Sequence, residues 1–210
     1  MTDAAEPEMT PDRALSLLKE GNRRFIAGEP VRPQLIAAER RAELAKAQRP
    51  FCVLVGCSDS RVPPELLFGR GLGELFIVRN AGNVVDLAAM GSIEYGVAVL
   101  GAPLVVVLGH ERCGAVQAAI DVVEKDAEHP GSIGQMIEPI LPAVIRAKRD
   151  GDGDLLDRAV RHNIRRVVER LRNTEQMLQA PLREGRLKIV GARYGLGDGV
   201  VEFFEDAPPA

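Results

Sequence analysis

Four short, continuous runs of apolar residues constrain the fold of this chain more than any other feature of its sequence. Each run is short enough for one strand, and a strand that is apolar along its whole length is typical of a parallel sheet covered on both faces. The runs are PFCVLVG (50–56), ELFIVRN (74–80), APLVVVLG (102–109) and RLKIVGA (186–192). A fifth segment, VVEFF (200–204), follows a glycine-rich turn and is predicted to be an antiparallel edge strand.

Segments with helical character lie between these strands. Helices are predicted over residues 86–100, 113–125, 132–149 and 155–178. Strands that alternate with helices indicate an α/β fold with a mostly parallel central sheet flanked by helices.

An amphipathic helix is predicted ahead of the first strand. Thr10 suits the N-cap, Pro11 suits the first helical position, and Leu15, Leu18 and Phe25 recur near helical spacing. A second helix is predicted to follow it and to end shortly before the first strand, over residues 35–47. The apolar stripe of the first helix could cover either this chain's own core or that of a partner subunit.

Length and linker content predict one domain for the whole of residues 1–210. A chain of 210 residues is within the range of a single domain, and no segment is long and polar enough to divide it. Within this domain we expect an N-terminal helical arm over about residues 10–48 and a core over about residues 50–205.

Composition excludes several classes of protein. The net charge is −3 with acidic and basic residues mixed, so phosphate-backbone binding, and with it a nucleic-acid partner, is not expected. The chain has no signal-peptide pattern and no apolar run of the roughly 18 residues that span a bilayer, so a cytoplasmic protein without a membrane partner is expected. In that compartment the three cysteines are expected to be thiols or metal ligands.

Two polar segments follow strands and carry cysteine and histidine. They are GCSDSR (56–61) and GHERCG (109–114), and they place Cys57 and His110 at strand ends that lie at the same edge of a parallel sheet. Cys113 lies about one helical turn beyond His110, so both can face one point. Zinc binds thiolate and imidazole, and three protein ligands leave a fourth position open. We therefore predict one zinc ion per chain.

The remaining cysteine and histidines are interpreted differently. Cys52 lies inside a predicted strand and is expected to be a core residue. His129 and His162 lie far along the chain and are expected at the surface.

Asp59 and Arg61 flank the first predicted ligand. An arginine two residues from a carboxylate can pair with it and keep it ionised. Such a carboxylate could occupy the fourth zinc position or accept a hydrogen bond from zinc-bound hydroxide. Alternatively, Asp59 is a turn residue and Arg61 faces solvent.

These blocks resemble the β-class carbonic anhydrases. The resemblance is carried by CSDSRV (57–62), ELFIVRNAGN (74–83) and LGHERCGAV (108–116), and it extends to LLKEGNRRFIAG (17–28), GSIEYGVAVLGAPLVVVLGH (91–110) and LKIVGARYGLGDGVV (187–201). It implies a zinc enzyme that reversibly hydrates carbon dioxide to bicarbonate and a proton through attack by zinc-bound hydroxide. It also implies that Cys57, His110 and Cys113 are the zinc ligands and that Asp59 and Arg61 are the catalytic pair.

The same resemblance implies a substrate pocket and an assembly. Gln48 matches a substrate-orienting glutamine, and Phe76 and Tyr194 match aromatic residues that wall the pocket, some of them reached across a subunit interface. A homodimer or a dimer of dimers is implied, with the N-terminal helical arm packed on a partner subunit.

One departure concerns a second, inhibitory bicarbonate pocket that some bacterial members build from Trp, Arg and Tyr. Arg79 and Tyr194 stand at the matching positions, but Leu54 replaces the tryptophan. Without that indole, the resemblance alone does not decide whether this chain has such a pocket.

Two alternative functions remain open at the level of sequence. A hydrolase of carbon disulfide or carbonyl sulfide could use the same zinc site. A non-enzymatic zinc scaffold is the other alternative, although a structural metal does not require Asp59, Arg61 or Gln48. Signatures of zinc deaminases and of dinucleotide-binding enzymes are missing from the sequence.

Overall fold

A five-stranded sheet forms the centre of the computed structural model, which describes residues 9–30, 32–173 and 176–204. The strand order is β2-β1-β3-β4-β5; the first four are parallel and β5 is antiparallel to β4. The strands are β1 (Cys52–Cys57), β2 (Leu75–Asn80), β3 (Leu104–His110), β4 (Lys188–Tyr194) and β5 (Val201–Phe204). The predicted α/β fold and its antiparallel edge strand are confirmed.

Helices cover both faces of this sheet. They are α1 (Pro11–Ile26), α2 (Ala38–Leu44), α3 (Pro64–Leu67), α4 (Leu87–Glu94), α5 (Gly114–Lys125), α6 (Ser132–Ile137), α7 (Leu141–Arg149), α8 (Leu155–Asn173) and α9 (Gln176–Arg183). No helix within the described ranges combines the length and the apolar character needed to cross a lipid bilayer.

Three predicted helices are divided in the structure. Proline explains the break between α6 and α7, because Pro139 lies in a 3₁₀ turn (Glu138–Ile140) and has no N–H to continue an α-helix. The helix predicted over 35–47 is a 3₁₀ turn (Pro33–Ile36) followed by α2. The helix predicted over 155–178 is α8 and α9, and residues 174–175 between them lie outside the described residues.

The helix predicted over 86–100 is continuous but changes its hydrogen-bonding pattern. It begins as α4, with the Asp86 side chain accepting a hydrogen bond from the Ala89 amide at 2.8 Å, and ends as a π-helical turn (Tyr95–Val99). Such a turn widens the helix locally and is frequent near functional sites.

Alternate strand residues feed two apolar cores, one on each face of the sheet, as a doubly covered sheet requires. One face packs under α4, α5, α7 and α8 and includes Val53, Val55, Val105 and Val107. The other face includes Cys52, Leu54, Val106 and Leu108 and is covered by α1. Cys52 is fully buried, and burial raises the pKa of its thiol, which confirms its interpretation as a core residue.

Helix α1 packs on its own chain. Thr10 caps it by accepting a hydrogen bond from the Arg13 amide at 3.2 Å, as predicted. Leu15 and Leu18 of the predicted stripe are buried in the second core together with Ala14, whereas Phe25 is 36% exposed. The buried part of the stripe therefore covers this chain's own core, which is one of the two alternatives that the sequence left open. The packing of the arm on a partner subunit stays a prediction.

Candidate metal centre and active site

The structure brings Cys57, His110 and Cys113 together at the carboxyl edge of the sheet. Their ligand atoms all lie within 4.8 Å of one another, and the two Sγ atoms are 4.0 Å apart. The residues are 5%, 0% and 1% exposed, respectively. Strands β1 and β3 are neighbours in the sheet, so Cys57 and His110 lie close together although they are 53 residues apart in the sequence.

Cys113 reaches the site through a tight turn after β3. Arg112 adopts a left-handed conformation with φ of 51°, and Cys113 is then the N-cap residue of α5. The positive end of a helix dipole favours a negative charge, so this position favours a thiolate.

His110 is oriented for a ligand through its Nε2 atom. Its Nδ1 atom lies 2.8 Å from the Glu111 carbonyl oxygen, and this contact requires Nδ1 to carry the proton. Nε2 then presents a lone pair, yet it is buried and has no hydrogen-bond partner among the described residues. A buried polar atom without a partner is costly, and a metal ion at this position removes that cost.

The two thiols influence each other's ionisation. The Cys113 sulfur lowers the pKa of Cys57 against the opposing effect of burial, and the Gly82 amide, 3.3 Å from the Cys57 sulfur, adds to the lowering. The Cys57 sulfur and burial in turn raise the pKa of Cys113. The pair therefore loses its first proton readily and its second with difficulty, and a divalent cation between the sulfurs would favour loss of both. These three residues fit a metal ion.

Asp59 stands beside this cluster and is bound to Arg61. Its Oδ1 and Oδ2 atoms accept hydrogen bonds from the Arg61 guanidinium at 2.9 and 2.6 Å, and Oδ1 also accepts one from the Arg61 amide. The Arg61 hydrogen bonds hold the pKa of Asp59 well below its usual range. Asp59 Oδ2 lies 3.8 Å from His110 Nε2, so an ionised carboxylate borders the ligand atoms.

Arg79 fixes the loop that carries Asp59. From β2 it donates hydrogen bonds of 2.7 Å to the carbonyl oxygens of Cys57 and of Asp59. Leu54 is fully buried in the core on the face covered by α1. The contacts of the Arg79 guanidinium in this region are therefore with the backbone of the loop that follows β1.

Gly82 contacts the Cys57 sulfur, although sequence reasoning did not single it out. It lies in a 3₁₀ turn (Ala81–Asn83) with φ of 72°, donates to Cys57, and accepts a 2.9 Å hydrogen bond from Asn163 in α8. A Cβ at this position would lie 2.7 Å from the Ile140 side chain. The only signal in the sequence was a glycine soon after a strand, within NAGN (80–83).

Gln48 and Phe76 do not approach the ligand atoms within one chain. Gln48 is exposed and lines an open cavity of about 720 Å³ at the opposite, amino end of the strands. Phe76 pairs in register with Val53, four residues before Cys57 along β1. A strand advances about 3.3 Å per residue, so this places Phe76 more than about 10 Å from the ligands.

Tyr95 joins these two residues and was missed by sequence reasoning. It lines the same cavity as Gln48, its ring lies 6.1 Å from that of Phe76, and it is 48% exposed. An aromatic residue in a predicted helix gives no sign of exposure unless the packing of that helix is known.

Tyr194 lies at the metal edge but on the other face of the sheet from Cys57. It pairs in register with His110, is buried with Leu54 and Val106 beneath α1, and burial raises the pKa of its phenol. His162, which was expected at the surface, is partly buried: its side chain is 13% exposed and its Nε2 atom pairs with the exposed Asp150. His129 is half-buried in the loop before α6.

The fold and the site define an α/β protein with a candidate Cys₂His metal centre at the carboxyl edge of a parallel sheet. A family model described as carbonic anhydrase matches residues 52–201. The chain is 41% identical to the carbonic anhydrase of Mycolicibacterium smegmatis over 93% of its own length and 94% of the relative's, and 42% identical to carbonic anhydrase 2 of Mycobacterium tuberculosis over 92% of each. The chain therefore belongs to the carbonic anhydrase family, in its β class.

A solved structure supports the same assignment. One of the two tetrameric β-carbonic anhydrases from Sordaria macrospora superimposes with a TM-score of 0.71 at 26% identity, covering 79% of this chain and 86% of that one. The sequence-based prediction of an enzyme of this class is confirmed.

Proposed function

We propose that this protein catalyses the reversible hydration of carbon dioxide to bicarbonate and a proton, with one zinc ion held by Cys57, His110 and Cys113. The observation that carries the proposal is the buried Nε2 atom of His110, which has no hydrogen-bond partner in the described part of the chain and faces two thiols within 4.8 Å. Two thiolates and an imidazole are a ligand set that zinc accepts, with one position left open.

The catalytic role of the site rests on its charged neighbours. A bound zinc ion lowers the pKa of water from about 15.7 towards about 7 and so supplies hydroxide near neutral pH. Asp59, kept ionised by Arg61, borders the ligand atoms, where its carboxylate would accept a hydrogen bond from a metal-bound water and so orient it. Arg61 also holds the carboxylate back, so Asp59 does not occupy the open position itself. A purely structural metal would need neither residue.

The substrate pocket is completed by a second copy of the chain in this proposal. Carbon dioxide is uncharged, so its binding is weak and its positioning by apolar walls and an amide determines the rate. Gln48, Phe76 and Tyr95 offer such a surface, but they lie at the end of the sheet remote from their own metal ligands. We assign the aromatic wall to Phe76 and Tyr95, because Tyr194 is buried on the opposite face.

The proposed assembly is a homodimer, or a dimer of dimers, of single-domain chains. Apolar side chains are exposed around the open cavity: Leu72, Tyr95 and Val99 are at least 40% exposed. The arm over about residues 10–48, which ends with Gln48, borders this surface, and the core covers about residues 50–205. The tetrameric state named for the Sordaria enzymes is consistent with such an assembly. Three buried, unpaired thiols fit the reducing conditions of the cytoplasm.

Stopped-flow measurement of carbon dioxide hydration tests both the reaction and the shared site. Zinc-loaded wild-type protein should exceed the buffer rate, whereas Cys57→Ala should not. Gln48→Ala should retain zinc and be slow. Mixing the two variants, with reassortment of subunits, should recover roughly a quarter of the wild-type sites, because half of the dimers then contain one intact site.

The two parts of this proposal fail separately. A wild-type rate equal to that of buffer would refute the reaction. Active wild-type protein with no recovery on mixing, although mixed dimers are detected, would refute the contribution of the partner subunit.

A further inference from the structure

The side chain of Glu111 connects the turn between two metal ligands to the β4–β5 hairpin. Its Oε2 atom accepts a hydrogen bond from the Leu196 amide at 3.0 Å, and its Oε1 atom lies 3.8 Å from the Arg193 guanidinium. Its backbone is fixed at the same time, because the Glu111 amide donates to the Tyr194 carbonyl at 2.9 Å. Glu111 is therefore held to β4, the first strand of the hairpin, and to the turn that follows it, by both its backbone and its side chain.

The arginine that faces Glu111 is itself part of a network. Arg193 pairs with Asp157 in α8, and Asp157 accepts a 2.8 Å hydrogen bond from Arg161. Arg161 continues to Glu202 in β5, with contacts of 3.0 and 2.8 Å. The Glu111 carboxylate thus contacts a guanidinium with a fixed position, rather than a mobile one.

The residue anchored in this way also orients His110. The Glu111 carbonyl is the acceptor for His110 Nδ1 at 2.8 Å, and it is this contact that leaves Nε2 to face Cys57 and Cys113. The next residue, Arg112, has a φ of 51°. A left-handed non-glycine residue costs about 1 kcal/mol or more and persists only where surrounding contacts hold it.

We propose that Glu111 is a positioning residue for the metal centre: its carboxylate holds the turn that orients His110 and places Cys113. The proposal rests on the zinc site proposed above and adds a residue that does not touch the metal ligand atoms through its own side chain. Removing an outer partner of a ligating histidine typically weakens metal binding by about 10–100-fold. Glu111→Ala keeps the carbonyl that His110 contacts but releases the turn that aims it, so we expect a loss at the lower end of that range, about 10-fold. Glu111→Gln, which keeps an acceptor for the Leu196 amide but loses the charge facing Arg193, should lose about 3–10-fold.

Glu74 provides a matched control at the other end of the sheet. Its Oε2 atom accepts a hydrogen bond from the Gly71 amide at 2.6 Å, and its Oε1 atom lies 3.6 Å from Arg70. Glu74→Ala therefore removes the same kinds of contact, one amide and one guanidinium, from a turn that precedes β2 and carries no ligand.

The experiment measures zinc affinity in wild-type, Glu111→Ala, Glu111→Gln and Glu74→Ala proteins by competition with a chromophoric chelator. Circular dichroism and thermal unfolding of the metal-free proteins check folding. Nitrogen-15 NMR of the metal-free proteins reports the His110 tautomer, which should be Nδ1-protonated in wild type and Glu74→Ala and mixed in Glu111→Ala.

The expected result is a rise in the zinc dissociation constant for the Glu111 variants only. A constant for folded Glu111→Ala within twofold of that of Glu74→Ala would overturn the positioning role. If Glu111→Ala does not fold, a dissociation constant for Glu111→Gln within twofold of wild type would overturn it instead. Wild-type protein that binds no zinc would overturn the proposed function itself, so the two failures are distinguishable.

Discussion

The two ends of the parallel sheet differ in how far a single chain completes them. At the carboxyl end, Cys57, His110 and Cys113 are buried, and their ligand atoms converge within 4.8 Å. At the amino end, Gln48 and Tyr95 are exposed and border an open cavity of about 720 Å³. One chain therefore brings all three candidate ligands together at the carboxyl end, whereas the residues at the amino end lie on an open surface.

This difference separates two requirements of the reaction. Metal binding depends on contacts made within one chain, so a monomer is expected to bind zinc. In the function proposed above, substrate positioning depends on Gln48, Phe76 and Tyr95, which lie away from the Cys57–His110–Cys113 group of their own chain. This part of the proposal therefore requires a second chain. Changes at the carboxyl end should therefore affect metal content and stability, and changes at the amino end should affect assembly and turnover without loss of metal.

The largest effect is expected from the ligands themselves. Cys57→Ala, His110→Ala and Cys113→Ala should each reduce zinc from one ion per chain to nearly none, because two remaining ligands do not hold the ion against chelation. Cys52→Ala, which removes a buried thiol from the same strand as Cys57, should keep its zinc. Metal analysis of the four purified proteins measures this, and full zinc in the His110 variant would remove His110 from the site.

The next largest effect concerns the charged pair beside the ligands. Asp59→Asn and Arg61→Ala should lower kcat/KM by about 10²–10⁴-fold while zinc content stays at one per chain, because loss of one positioned acid–base group typically has that effect. The Arg61 variant should be slow because the carboxylate is no longer held away from the open position. Stopped-flow kinetics with zinc analysis decides this, and normal turnover by either variant would make the pair dispensable.

The carboxyl end of the sheet was predictable from sequence because strand order explains it. Continuous apolar runs located β1 and β3 to within two residues, and polar residues directly after parallel strands meet at one edge. The ligand group and the Asp59–Arg61 contact follow from local spacing once that edge is known. The N-capping of α1 by Thr10 was also predictable, because it depends only on neighbouring residues.

Features that depend on contacts between distant segments were not predictable, at either end of the sheet. Tyr95 is exposed and begins a π-helical turn, and no local pattern in the sequence distinguishes that turn from a continued α-helix. The support that Gly82 gives to Cys57 depends on a left-handed backbone and on Asn163, 81 residues further along. The stripe of α1 was visible, but the surface that it covers was not.

Alanine substitutions at two glycines, Gly82 and Gly96, test the difference between the two ends of the sheet with a smaller expected effect. An alanine Cβ at Gly82 would lie 2.7 Å from Ile140, and one at Gly96 would lie 2.5 Å from Val53 and 3.2 Å from Phe76. Each substitution should lower the free energy of unfolding by about 1–3 kcal/mol, as overpacking usually does. Only Gly82→Ala should also weaken zinc binding, since it shifts the amide that donates to Cys57, and only Gly96→Ala should slow turnover at full zinc occupancy. Urea unfolding measures the two stabilities, chelator competition measures the zinc affinities, and stopped-flow kinetics measures turnover. Equal zinc affinities of the two variants would contradict the assignment of metal binding to the carboxyl end alone.

The smallest effect is expected from the charged network behind the carboxyl end. Burial disfavours the ionised form of Asp157, but the Arg161 hydrogen bond and the charges of Arg193 and Arg161 outweigh it, so the pKa of Asp157 lies below its usual value. A lowered pKa contributes stability above the unfolded pKa of about 3.9, and this contribution is lost as pH falls through the folded pKa. Asp157→Asn should therefore lower the free energy of unfolding by about 1 kcal/mol at pH 7, and the gap to wild type should narrow below about pH 4.

Asp12→Asn provides the control, because Asp12 is 81% exposed and pairs with Lys188 at the amino end of β4. Exposed pairs contribute little, so its effect should stay below about 0.5 kcal/mol. Urea unfolding of the three proteins at pH 7, 5 and 3 measures both differences. A gap for Asp157→Asn that is the same at all three pH values would show that ionisation of Asp157 contributes nothing. The fixed position of Arg193, and with it the surroundings of Glu111, would then depend on packing rather than on charge.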